Sequence, residues 1–165
     1  VRLQIPKLKL DVPVVEMGWL VIQTQDGLRS DWDIPKDAAG HHLNSARLGE
    51  AGNLVISGHN NIYGQVFRPI SLAWNNDQRV KVDDYTDQSD VLNGAVVKLF
   101  DAAGAEHDYL VSAFYRLKET GASLEQQAAH AVYMQPTDHE QVTLITCWPP
   151  TSNTHRLILI ARPAQ

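Results

Sequence analysis

The sequence predicts an all-β fold, a sandwich or a barrel, and three observations predict it. Its apolar runs are short, they are rich in β-branched residues, and turn-forming residues separate them. Helix is incidental, confined to two short stretches. At 165 residues the chain has the length of a single domain, residues 1–165, with enough interior to build a core without staples. Its 44% apolar and 20% charged residues exclude a disordered or fibrous chain.

In chain order, residues 8–15 and 19–25 read as strands, and Asp26-Gly27 after them as a turn. Asn53–Ser57 (NLVIS) is an apolar run of the buried-strand kind, and it ends in Gly58-His59-Asn60-Asn61, a loop by composition. Over residues 63–74, Val66, Phe67, Ile70 and Ala73 or Trp74 approximate a helical period, with Pro69 limiting it to a short or broken helix. Residues 78–82 alternate as a half-exposed strand. Val96–Phe100 and residues 107–117 flank Asp101-Ala102-Ala103-Gly104 and predict a hairpin. From Ser123, Leu124, Ala128, Ala131 and Val132 share a helix face, and Ser123 with Gln126 fits a capping box. Residues 141–147 and 156–162 read as two closing strands, joined by eight residues that include Pro149, Pro150 and Asn153.

Charge and composition remove several function classes. Lys plus Arg total 14 against 19 for Asp plus Glu, a net charge of −5 that does not attract phosphate backbones, so no nucleic acid partner is expected. The longest apolar run, residues 157–161, falls far short of the roughly 20 residues that cross a bilayer. The start, Val1-Arg2-Leu3-Gln4-Ile5-Pro6, has neither an initiator Met nor the pattern of a secretory signal, and reads as a trimmed domain. A single cysteine, Cys147, rules out an internal disulfide and a multi-cysteine zinc site. It is either a buried packing residue or a reactive thiol.

Strand alternation turns Val142, Leu144 and Thr146 one way and Thr143, Ile145 and Cys147 the other. Because Pro149 and Pro150 cannot donate ladder hydrogen bonds, pairing should fail just after the thiol and leave it at a sheet rim. Thr143-Leu144-Ile145-Thr146-Cys147 matches TLxTC, the signature of the sortases, cysteine transpeptidases that attach proteins to bacterial cell walls or build pili. Further segments resemble that family in the expected order. They are Ile5-Pro6-Lys7-Leu8-Lys9-Leu10-Asp11, Trp32-Asp33-Ile34-Pro35, the run from Gly52 to Gly58-His59, and the strand opened by Arg156.

The resemblance implies a closed β-barrel of about eight strands with one or two short helices. It implies Cys147 as nucleophile, His59 as general acid and base, and Arg156 as the group that stabilises the oxyanion. The chemistry asks for such a set independently. A free thiol is only about 3% thiolate at pH 7, and an unshifted thiolate–imidazolium pair is about 1% of the neutral pair. Cleaving a peptide needs a proton delivered to the departing amine, and accepting a new amine needs one removed, which one imidazole can do twice. Arginine keeps its charge and presents its donors in a fixed fork. Arg162, on the same strand face, is the alternative to Arg156. A metal site at His41, His42 and His59 is disfavoured because adjacent strand residues face opposite ways. Glu119, Glu125 and Asp138 are scattered loop charges, so neither a metal nor a cofactor is expected.

The family also suggests substrate-binding roles. Thr146 would orient the cleft or the peptide, Trp148 would form a wall or plug the barrel end, and His42 would line the cleft or serve a structural role. Residues 119–140 correspond to the connection that helps bind the sorting peptide, with Val132, Tyr133 and Met134 as apolar contacts. The implied reaction cleaves an LPXTG-like sorting signal through a thioester and passes it to an amine of a cell-wall precursor or a pilin. The expected place is the extracellular face of the bacterial plasma membrane, a soluble catalytic domain held by an N-terminal anchor that this chain does not contain. A cysteine hydrolase with the same three residues, and a non-catalytic peptide-binding barrel, are the alternatives.

Overall fold

The computed structural model describes residues 1–75 and 78–165. Its strands are β1 (Arg2–Ile5), β2 (Leu10–Met17), β3 (Trp19–Thr24), β4 (Gly27–Trp32), β5 (Ala39–His42), β6 (Asn53–Ser57), β7 (Arg79–Lys81), β8 (Thr86–Ser89), β9 (Val96–Phe100), β10 (Glu106–Lys118), β11 (Gln141–Trp148) and β12 (His155–Pro163). Among the described residues helix is limited to α1 (Arg68–Ala73), α2 (Leu124–His130) and short 3-10 turns. Hydrogen bonding runs in the order β12-β11-β6-β5-β2-β1-β9-β10, and a β10–β12 pairing closes the ring. Eight strands therefore form a closed barrel, as the family resemblance implies. It is mixed: β6 runs parallel to β11 and β2 parallel to β5, and the other pairs of the ring are antiparallel.

Closure depends on the length of β10. One of its edges pairs with β12 from Tyr109 to Lys118, while the other pairs first with β9 and then, near its end, with β8. The main core fills the interior with alternate residues of nearly every barrel strand, among them Leu3, Ile5, Leu54, Ile56, Leu144, Leu157 and Leu159. Each such side chain removed from water contributes about 1.5–3 kcal/mol. A smaller cluster of Val55, Leu117, Ile145 and Ile158 lies on the opposite face of the same strands, with Tyr115, Tyr133, Met134 and Ile160 packed against it. Tyr133 and Met134 of that cover come from the connection between β10 and β11, which also contains α2. Its N-terminus carries the expected capping box, with Ser123 Oγ accepting from Gln126 N–H and Gln126 Oε1 accepting from Ser123 N–H.

Four strands lie outside those read from the sequence: β1, β4, β5 and β8. They are four to six residues long, and β5 (AGHH) and β8 (TDQS) are poor in β-branched residues. Ladder partners on either side hold β1, β5 and β8, which outweighs weak intrinsic preference, and β4 pairs with β3 alone. Helix α1 is shorter than the 63–74 pattern because Tyr63 and Gln65 adopt left-handed φ values of 52° and 51°. Outside the barrel, β3 and β4 form a separate two-stranded sheet that pairs Trp19 with Trp32. Trp32 lies 4.0 Å, ring to ring, from His42 of β5.

Candidate active site

Two strand pairings place the candidate residues at one rim. In the antiparallel β11–β12 ladder Cys147 is directly opposite Arg156, so both side chains stand on the same face. In the parallel β6–β11 ladder Ser57 is opposite Ile145, so the segment that follows each strand, Gly58-His59 and Thr146-Cys147, leaves in the same direction. Two hydrogen bonds fasten the junction: Gly58 N–H donates to Ile145 C=O at 3.0 Å, and Thr146 Oγ1 donates to Gly58 C=O at 2.8 Å. Gly58 has a steric reason to be glycine, since a Cβ there would meet the Phe67 ring at 2.5 Å. His59, Cys147 and Arg156 line one cavity of about 290 Å³.

His59 is held from the far side. Its Nε2 lies 3.2 Å from Ile34 C=O, and its ring meets Tyr63 edge-on at 5.3 Å. In the neutral ring this contact makes Nε2 the protonated nitrogen and leaves Nδ1 free to accept a proton. The loops around the rim are laced together. Asn60 Nδ2 donates to Asn153 Oδ1 at 3.0 Å, Asn153 Nδ2 donates to Asn61 Oδ1 at 2.9 Å, and Asn61 Nδ2 donates to Pro150 C=O at 2.9 Å. Asn153 makes these bonds from a left-handed φ of 52°, a conformation asparagine tolerates better than most residues.

The electrostatics of the thiol are a balance. Burial pushes the Cys147 thiol above its ordinary value, Arg156 pulls it down, and Glu119 pushes it up again. Glu119 Oε1 lies 4.0 Å from Arg156 Nε and 3.4 Å from His130 Nδ1. His42, also in the cavity wall, bonds through Nε2 to Ser57 Oγ at 2.7 Å. Burial first, then the neighbouring His41 and Arg156, depress its pKa to about 4, so it is neutral at physiological pH.

Thr146 and His42 line the cavity together with the three central residues. Other expected substrate contacts lie elsewhere. Trp148 turns to the other face of β11, packs against the main core and carries the Arg116 guanidinium over its ring at 4.6 Å. Val132 is exposed, and Tyr133 stacks against Tyr115; Met134 is the member of that trio that reaches the cavity. Arg162 sits six residues along β12 from Arg156, about 20 Å away at strand rise. His41 and His42 do face opposite ways: His41 bonds Ala46 C=O and lines a different cavity. Among the described residues no group of three or more His, Cys, Asp or Glu is arranged to hold a metal ion. Composition alone left several wall residues unseen: Asp31, Trp32 and Ile34, Ser57, and the asparagines 60, 61 and 153.

The fold is thus a closed mixed barrel of eight strands, with a cysteine and an arginine paired across its last two strands and a histidine lining the same cavity. A sequence model of the sortase domain matches residues 3–164, and the chain belongs to the sortase family. Among solved structures it resembles sortase A from Corynebacterium diphtheriae in a lid-mutant form, at 20% identity and a TM-score of 0.64 over 99% of this chain and 69% of that one. It also resembles sortase C-1 from Actinomyces oris (17% identity, TM-score 0.64, 99% of this chain and 72% of that one). A third likeness is to the Clostridium perfringens sortase D5 transpeptidase (19% identity, TM-score 0.60, 99% and 78%). At these identities the likeness is one of fold, and it spans the A, C and D classes. No curated protein matches the chain in sequence.

Proposed function

We propose that residues 1–165 form the catalytic domain of a cysteine transpeptidase that cleaves an LPXTG-like sorting signal and joins it to an amine of a cell-wall precursor or a pilin. The observation that carries this reading is the convergence of His59, Cys147 and Arg156 on one cavity, each delivered by a barrel strand or its immediate end. The resting thiol is protonated, because burial outweighs the pull of Arg156. The reactive thiolate–imidazolium pair is therefore a minor form that is drawn off by reaction.

Each step balances. The Cys147 proton passes to His59 Nδ1, sulfur bonds to the scissile carbonyl carbon, and Arg156 holds the oxyanion. The C–N bond then breaks as His59 returns the proton to the departing amine, leaving a thioester on Cys147. The incoming amine gives a proton to His59, forms the new C–N bond and expels the thiol, which recovers that proton. No cofactor is required by these steps. The reading places the domain on the outer side of the plasma membrane, with any anchoring supplied N-terminal to it. Among the described residues no helix is long and apolar enough to cross a membrane.

Incubating the protein with a library of sorting peptides, with and without an amine, tests the proposal by intact mass. A hydroxylamine-labile adduct on Cys147 and an amine-dependent ligated product are expected, and both vanish in Cys147→Ala. A Cys147→Ala protein that still cleaves overturns the nucleophile assignment. A labile adduct that yields only the free acid at saturating amine makes water the acceptor and the enzyme a hydrolase.

A further inference from the structure

The chain of asparagines at the rim has a direction, set by the carbonyl at one end. Pro150 C=O can only accept, so Asn61 presents Nδ2 to it and turns Oδ1 toward Asn153. Asn153 then gives Nδ2 to Asn61 and Oδ1 to Asn60, which makes Asn60 Nδ2 the last donor in the row. What remains is Asn60 Oδ1. It makes no hydrogen bond among the described residues, although Asn60 is only 2% exposed. A buried acceptor left without a partner is costly, and a ligand N–H that reaches it recovers that cost.

Asn60 follows His59 in the chain, and both line the cavity that contains Cys147. The reacting nitrogen exchanges a proton with His59 in both halves of the reaction, so it works on this side of the thiol. Around the reacting bond the polar groups divide by type. Arg156 only donates, which suits the carbonyl oxygen, and Asn60 Oδ1 only accepts, which suits the hydrogen that stays on nitrogen.

We propose that Asn60 Oδ1 accepts the N–H that the reacting nitrogen retains, orients that nitrogen against His59, and so selects primary over secondary amines as acceptors. The inference rests on the transpeptidase reading above. A neutral primary amine brings two hydrogens. One passes to His59 and from there to the Cys147 sulfur as the C–N bond forms and the thioester C–S bond breaks; the other stays on nitrogen in the new amide, bonded to Asn60. A secondary amine has a single hydrogen, which His59 takes, and Asn60 Oδ1 is then left buried and unpaired. A neutral amide oxygen suits this position, since a carboxylate would favour the amine as its unreactive ammonium form.

The test supplies an LPXTG-like peptide that acylates Cys147 together with equal, saturating concentrations of glycinamide and its N-methyl analogue, and reads the two ligated products by mass. The parent protein favours glycinamide. Asn60→Ala lowers the product ratio by about tenfold, and Asn60→Asp, which keeps an acceptor and acts on the charge of both amines alike, retains part of it. Both products come from one thioester on one protein, so their ratio is unaffected by thiol reactivity, acylation rate or folded fraction. A parent that ligates both amines equally overturns the inference, as does an Asn60→Asp ratio no higher than that of Asn60→Ala. Ligation with a ratio that Asn60→Ala leaves within twofold of the parent overturns this inference alone, whereas no ligated product with either amine overturns the transpeptidase reading and takes this inference with it.

Discussion

Strand β11 turns Val142, Leu144 and Thr146 into the barrel, and Thr143, Ile145 and Cys147 out of it. Val142 and Leu144 join the main core with Leu54, Ile56, Leu157 and Leu159, while Thr146, at the rim, bonds Gly58 C=O. On the outward face Thr143 donates to Asn53 Oδ1 at 2.7 Å, Ile145 joins the small cluster under the β10–β11 connection, and Cys147 ends the row beside Arg156. Side chains one peptide apart thus belong to different structures: a closed barrel that resists change and an open cleft covered by a connection. The thiol sits where the smaller cluster stops, half-buried and not enclosed.

This contrast predicts two substitutions with opposite outcomes. Cys147→Ala should abolish thioester formation while leaving the urea midpoint nearly unchanged, since it trims one half-buried sulfur at a rim. Leu144→Ala removes a fully buried side chain and should cost about 2–5 kcal/mol of stability, with thioester formation retained in the molecules that remain folded. If Cys147→Ala instead unfolds the protein, or Leu144→Ala abolishes acylation without loss of stability, the division between the faces is wrong. Next in size, Arg156→Lys keeps the charge but loses the fork of donors, and turnover should fall by about 10²- to 10³-fold. Single-turnover acylation measures this, and a rate within twofold of the parent would remove Arg156 from the oxyanion role.

Much of the division was legible in the sequence, because alternation is a local property. Asn53–Ser57 and Val96–Phe100 are strands with the bounds their apolar runs predict, and β11 and β12 extend the predicted runs by one residue at each of three ends. Alternation also puts Trp148 on the face of Thr146 and opposite that of Cys147. What the sequence left hidden depends on contacts between distant segments. Ile34 reaches His59 from the loop after β4, Asn153 reaches Asn60 across 93 residues, and Glu119 reaches Arg156 because β10 ends beside the start of β12. None of these has a local period or motif to announce it. The polar strands β5 and β8 were hidden for the same reason, being specified by their neighbours.

The smallest expected effect tests how far the covering connection reaches into the chemistry. Two backbone bonds, from Glu119 N–H and Thr120 N–H to Thr154 C=O, fix the start of the connection two residues before Arg156. They bring the Glu119 carboxylate to the outward face, where its charge opposes ionisation of Cys147 and that of Arg156 favours it. Glu119→Gln keeps the shape and removes the charge, so the thiol pKa should fall and the inflection in the pH profile of iodoacetamide alkylation should move to lower pH. Arg156→Gln should move the same inflection up, and by more, because Arg156 is the larger of the two influences. Added salt should shrink both displacements where the charges meet water. An inflection that stays in place in both variants would mean that burial alone sets the thiol. The outward face would then owe its chemistry to the barrel that excludes water, and not to the charges arrayed along it.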